Sequence, residues 1–192
     1  MQHNLFTSAA TLAAFPAESY AGETQTDTHV PATIARVQSI DDLPAATRVL
    51  PSLLDSGSSS ILIHKRALPK NIQLTEVPHV PCQTTAGTFT VTHRVTLKGL
   101  QLPEFSRSRR LNTFTALVFE SNCRYDLILG RTFLSSAGIQ LDFDEHQMHW
   151  LELTVPMPAA AHLPYQTQRF RDALLDNALL TEINEEAPVY YA

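Results

Sequence analysis

Short apolar runs separated by Pro, Gly, Ser and Asn fill the middle of this 192-residue chain, and the segments on either side lack them. From Thr47 onward, RVLPSLLD, SSSILIHKRAL, TFTVTHRVTLKGL, LNTFTALVFE and YDLILG are rich in β-branched and aliphatic residues. They predict strands of a mostly antiparallel β domain. In TFTVTHRVTL, Phe89, Val91, His93, Val95 and Leu97 fall on one face and Thr90, Thr92, Arg94 and Thr96 on the other. His93 then lies on the apolar face with no second ligand at hand, so it reads as a packed side chain. TTAGT before this strand supplies a small, Gly-containing hairpin tip. RTFLSSAG predicts two helical turns stopped at Gly138. IQLDFDEHQMHWLEL then predicts a terminal hairpin with Ile139, Leu141 and Phe143 on one face.

Outside that block the pattern fades. Residues 1–43 carry TSAAT, AGETQTDTH and DDLPAAT without a sustained period, which predicts a disordered or linker tail. Residues 155–192 begin as an Ala/Pro linker, and apolar positions 170, 174, 175, 178, 179 and 183 then predict an amphipathic helix over 168–187. The folded domain is therefore expected over 44–154. At 44% hydrophobic and 17% charged residues, such a domain has core enough without disulfide or metal staples.

A net charge of −5 offers no footprint for a polyanion, so direct nucleic-acid binding is not expected. Arg107, Arg109 and Arg110 read as part of a solvated surface loop within LQLPEFSRSRRLN. Cys82 and Cys123 lack zinc-ligand or disulfide spacing, which points to reduced thiols, an intracellular location and no metal or other cofactor. No apolar run approaches membrane-spanning length, and the N-terminus lacks the basic region of a secretory signal.

The chemistry centres on LLDSGSSS. Leu53 and Leu54 end a strand, Asp55 projects from the turn, and Gly57 permits a tight turn or close approach of another chain. Alone, D-S-G reads as an acidic turn cap. Further along the chain stand Ile128, Leu129, Gly130 and Arg131, then the short helix and the IQLDF strand.

In this order, D-S-G, Gly-containing hairpin, I-L-G-R, helix and strand, residues 45–153 resemble the retropepsins, the single-domain aspartic proteases of retroviruses and LTR retrotransposons. LILGRTFLSSAGIQLDF is most similar to the gypsy-type elements. The resemblance implies an all-β closed barrel of the acid protease fold with one short helix. It also implies an aspartic endopeptidase acting on a retrotransposon polyprotein. Such chemistry needs two carboxylates sharing one proton, and this chain has one D-S-G. The expectation is a homodimer in which each chain contributes one Asp55.

The resemblance assigns the remaining parts. Ser56 and Gly57 belong to the catalytic loop, with Ser56 reaching across to the other subunit. Ser58, Ser59, Thr85, Ala86 and Gly87 face an extended peptide, the last three as a flap. Ile128, Leu129, Gly130 and Arg131 pack behind the loop. Ser59 stands where many viral members have an aspartate that pairs with this arginine, so Arg131 is expected to pair with Asp126 or with the other chain. Asp126 and Asp142 read as strand-end carboxylates. The competing expectations are an inactive dimerisation or peptide-binding module, and an unrelated monomeric barrel.

Overall fold

The computed structural model describes residues 28–84 and 87–160. The helix expected over 168–187 and the flap residues Thr85 and Ala86 lie outside them. Along the described chain run β1 (Ala32–Ile40), β2 (Leu43–Asp55), β3 (Ile61–His64), β4 (Thr75–Thr84), β5 (Gly87–Leu100) and β6 (Leu111–Phe119). β7 (Leu127–Gly130), α1 (Arg131–Ala137), β8 (Ile139–Asp142), β9 (Gln147–Trp150) and β10 (Leu153–Pro156) follow.

The larger sheet runs β1-β2-β7-β3-β6-β5-β4. It closes on itself where Ser39 and Ile40 of β1 pair with Lys98 and Leu97 of β5. Six strands thus form a closed barrel, and β4 stands outside the ring, paired among the described residues only to β5 as a long hairpin. This is the all-β closed barrel with one short helix that the resemblance implied. Thr84 pairs with Gly87 at the far end of this hairpin. The pairing is less uniformly antiparallel than expected: β2 runs parallel to β7, and β3 parallel to β6.

Those parallel pairs explain the central sequence. β7 lies between β2 and β3 and is buried along its whole length, so LILG carries no polar alternation. Alternate side chains go to two different layers. Leu54, Ile61, Ile63, Leu127 and Leu129 enter the main core, whereas Leu53, Leu62 and Ile128 enter a second, smaller cluster on the opposite face.

The main core is sealed from below by α1 and the small sheet β10-β9-β8. Trp150 is its anchor: the ring is 2% exposed, and its Nε1 donates to the Ala137 carbonyl at 2.9 Å. Phe105 meets the indole edge-on with centroids 6.0 Å apart, and the Arg109 guanidinium lies over it at 5.5 Å.

Several expectations need correction. Residues 32–40 are not linker; they form β1, and most of that strand is buried, including Thr33 and Arg36. Burial on both faces removes the alternation that would have marked the strand. Val155 and Met157, placed beyond the domain, are also core residues. Segments 28–30 and 158–160 pair with each other: Val30 N–H donates to the Pro158 carbonyl at 3.0 Å and Ala160 N–H to the Thr28 carbonyl at 2.7 Å. The 100–112 stretch is packed rather than solvated, since Leu102 and Phe105 are core and Arg109 stacks on Trp150. Phe143 does not share the inward face of Ile139; it sits in the β8–β9 turn, 54% exposed.

Replacing Trp150 with Ala is expected to cost about 3–5 kcal/mol of unfolding free energy, from the cavity and the orphaned Ala137 carbonyl. The same urea titration should show Phe143→Ser within about 0.5 kcal/mol of the parent protein.

Candidate active site

Asp55 is the last residue of β2 and pairs in register with Gly130, the last residue of β7. From there the chain must pass over the end of β7 to reach β3 on its other side. The Ser56–Ser60 loop makes that crossing. A methyl group on Gly130 would lie 2.3 Å from the Ser60 carbonyl oxygen and 2.8 Å from that of Ser58. Only glycine fits under the loop, and the reason is proximity of two backbones rather than an unusual dihedral.

The loop is fastened to α1 on the far side. Arg131 N–H donates to the Ser58 carbonyl at 2.7 Å, and Thr132 Oγ1 donates to the Ser59 carbonyl at 2.6 Å. Ser58 Oγ donates to the Ser60 carbonyl at 2.9 Å. Ser58 is 1% exposed, and its hydroxyl and carbonyl both serve this inward bonding. Its expected substrate-facing position is therefore corrected to a supporting one. Ser56 and Gly57 are exposed at the loop tip, and Ser59 is half-buried.

Within the loop, Gly57 N–H donates to Asp55 Oδ1 at 2.8 Å, which fixes the carboxylate's rotation. Asp55 Oδ2 is buried with no hydrogen-bond partner among the described residues. Burial pushes the Asp55 carboxyl above the usual carboxylate range, and the backbone N–H groups of Gly57 and Ser58 only partly offset it. A carboxyl group held by one oxygen, with the other buried and unmatched, is costly to ionise.

The other expected residues are placed as follows. Ile128 and Leu129 are fully buried on opposite faces of β7, one behind the loop and one in the main core. Arg131 opens α1 with an exposed side chain. It does not pair with Asp126, because Asp126 Oδ1 accepts from Arg66 Nε at 2.6 Å. Asp126 is thus a strand-end carboxylate, and Asp142 accepts the N–H groups of Asp144 and Glu145 in a turn. Gly87 opens β5 beside the hairpin tip. Among the described residues, no group of three His, Cys, Asp or Glu side chains is placed to hold a metal ion.

Two contributors had no place in the sequence expectations. Thr132 buttresses the loop through its hydroxyl, and its position directly after G-R was the available signal. Arg66 ties the Cys123 carbonyl and Asp126 to the start of the chain segment after β3, and nothing in the local sequence marks it.

A model of the aspartyl protease family matches residues 24–133, which include the Asp55 loop, β7 and the start of α1. The chain belongs to the aspartyl protease family. The family match begins well before residue 44, in keeping with β1 as an integral strand. Among solved structures, the chain is similar to the retroviral protease-like domain of Ddi1 from Leishmania major, at 15% identity and a TM-score of 0.44. That match covers 68% of this chain and 96% of the other. No curated protein matches it.

Gly130→Ala is expected to destabilise the fold by about 1–3 kcal/mol, because backbone carbonyls must move to admit the methyl group. Asp55→Asn should do the opposite near neutrality. The folded-state pKa of Asp55 lies above its unfolded value, so its contribution favours folding below about pH 3.9 and is lost as pH rises through the folded pKa. The Asn variant should therefore melt at or above the parent temperature at pH 7, with the gain shrinking toward pH 3. A lower melting temperature at pH 7 that recovers in acid would contradict this sign.

Proposed function

We propose that the protein is an aspartic endopeptidase that works as a homodimer, with Asp55 of each chain forming one shared site. The observation that carries this is the buried, unpartnered Asp55 Oδ2 in a loop built around a single D-S-G. One carboxyl cannot act as base on water and as acid on the peptide carbonyl in the same step. A two-fold axis beside the loop supplies the second acid from the same sequence position.

In the resting dimer, two carboxyls about 3 Å apart retain one proton between them, since like charges at that range resist joint ionisation. The ionised Asp55 accepts a proton from water as the oxygen attacks the scissile carbonyl carbon. The protonated Asp55 hydrogen-bonds the carbonyl oxygen and stabilises the tetrahedral gem-diol. Proton transfer to the amide nitrogen then lets the C–N bond break, and the pair returns to its singly protonated state. The Gly57 N–H holds each carboxylate in plane during these exchanges.

β4 stands outside the barrel and extends with the start of β5 as a hairpin arm, which suits a flap that closes over an extended peptide and excludes water. A peptide in that position presents main-chain groups to flap and floor, so affinity comes from backbone hydrogen bonds and preference from side-chain pockets. Exposed Ser56 is the residue to reach the partner loop, and Arg131, with its side chain exposed on α1, is the cation to meet a partner acid. The similarity of LILGRTFLSSAGIQLDF to gypsy-type elements supports a polyprotein as substrate.

Cleavage of a peptide mixture is expected at acidic to near-neutral pH, with inhibition by a statine-type compound. Asp55→Asn should lower kcat by at least about a hundredfold. Sedimentation should show a dimer at micromolar concentration. Undiminished cleavage by purified Asp55→Asn protein would sink the proposal, and a folded dimer that binds no inhibitor would make it a peptide-binding module instead.

A further inference from the structure

Three successive carbonyls of the Asp55 loop each accept a hydrogen bond. Ser58 takes it from Arg131 N–H at 2.7 Å, Ser59 from Thr132 Oγ1 at 2.6 Å and Ser60 from Ser58 Oγ at 2.9 Å. The first donor is backbone and the third belongs to the loop itself. Of the three, only Thr132 reaches the loop with a side chain from another element.

The bond lies close to the carboxyl along the chain. Gly57 N–H, which fixes Asp55 Oδ1 at 2.8 Å, is two residues before Ser59, and Ser58 N–H closes a turn onto the Asp55 carbonyl at 3.3 Å. Peptide units move as rigid planes, so in so short a turn a tilt at Ser59 is passed to Ser58 and Gly57. On the other side the hydroxyl is offered from a fixed base. Phe133, next to Thr132, is 1% exposed and meets Phe114 edge-on with centroids 5.1 Å apart, and Ser136 Oγ donates to the Thr132 carbonyl at 2.8 Å. Thr132 itself is exposed, so its side chain is not needed to fill the core.

We propose that Thr132 is a positioning residue for the reaction: its hydroxyl, acting through the Ser59 carbonyl, keeps the Asp55 loop in the geometry that presents the carboxyl to the scissile bond. The inference rests on the endopeptidase proposal and adds to it a residue outside the catalytic loop. Thr132 acts on turnover, because what it holds is the acid and not the peptide. Losing one hydrogen bond of this kind corresponds to a rate loss of about three- to tenfold. It also changes the pH response. The N–H groups of Gly57 and Ser58 hold the Asp55 pKa down against burial, so a slackened loop lets the carboxyl ionise only at higher pH.

The test uses the full chain and one peptide that the parent protein cleaves from a mixture, with kcat and KM measured across pH. Thr132→Val keeps the side-chain shape without the donor. Thr132→Ala also removes the donor but is the better helix former, so it separates the loop contact from the stability of α1. Both should lower kcat by about three- to tenfold with KM nearly unchanged, and both should move the acidic limb of the profile to higher pH. Thr132→Ser should recover most of the lost rate. Ser136→Ala, which removes a hydroxyl bond within α1 and none to the loop, should turn over like the parent. Parent-level kcat in either folded Thr132 variant that lacks the hydroxyl overturns the inference. So does an equal loss in Thr132→Ser or Ser136→Ala, a loss that lies wholly in KM, or an unmoved acidic limb. Absence of cleavage by the parent protein overturns the endopeptidase proposal and this inference with it.

Discussion

A carbonyl oxygen 2.3 Å from where a methyl group on Gly130 would sit marks a crossing that admits no side chain, and the strands around the Asp55 loop are arranged about it. β2 and β3 can flank β7 only if the connection between them passes over the end of β7. The parallel pairing that results could not be reached by a short hairpin. The same crossing lifts Ser56 and Gly57 away from the barrel and leaves Asp55 at the end of a rigid strand. Backbone proximity at one glycine thus sets where the acid stands and how little it can move.

Burying a carboxyl at that point works against folding, and the surroundings show how the cost is contained. One oxygen keeps a backbone donor from Gly57, while the other is left unmatched. The barrel can carry this because both faces of β7 are packed, with Leu127 and Leu129 in one layer and Ile128 in the other. A buried, half-matched carboxyl is tolerated where the strand beside it is fixed by packing on both faces.

The strands with strong alternation or continuous apolar runs, β5 and β7, were legible from residue pattern alone. So were α1, through its left-handed Gly138 cap, and the Asp55 turn. β1 was not, because ATIARVQSI buries Thr33 and Arg36 alongside its aliphatic residues, and burial on both faces erases a period of two. The 100–112 stretch misled for a related reason: polar and charged residues are interleaved with its apolar ones, yet Leu102 and Phe105 plug the core and Arg109 covers an indole. At the site, D-S-G and I-L-G-R were visible as separate words. Their contact through Gly130, and the inward turn of Ser58, depend on a strand order that no local pattern encodes. Arg131 shows the same limit, since its nearest sequence candidate, Asp126, is engaged by Arg66.

The pairing of Thr28–Val30 with Pro158–Ala160 brings the chain in and out of the barrel on adjacent strands. Neighbouring strands lie about 5 Å apart, so the two connections to any flanking sequence emerge almost from one point. Topologically the barrel is a side loop: it can be set into a longer polypeptide without prising the flanking parts apart. It could equally be closed into a ring by a tether of a few residues, with a new opening made in an exposed turn such as the one bearing Phe143.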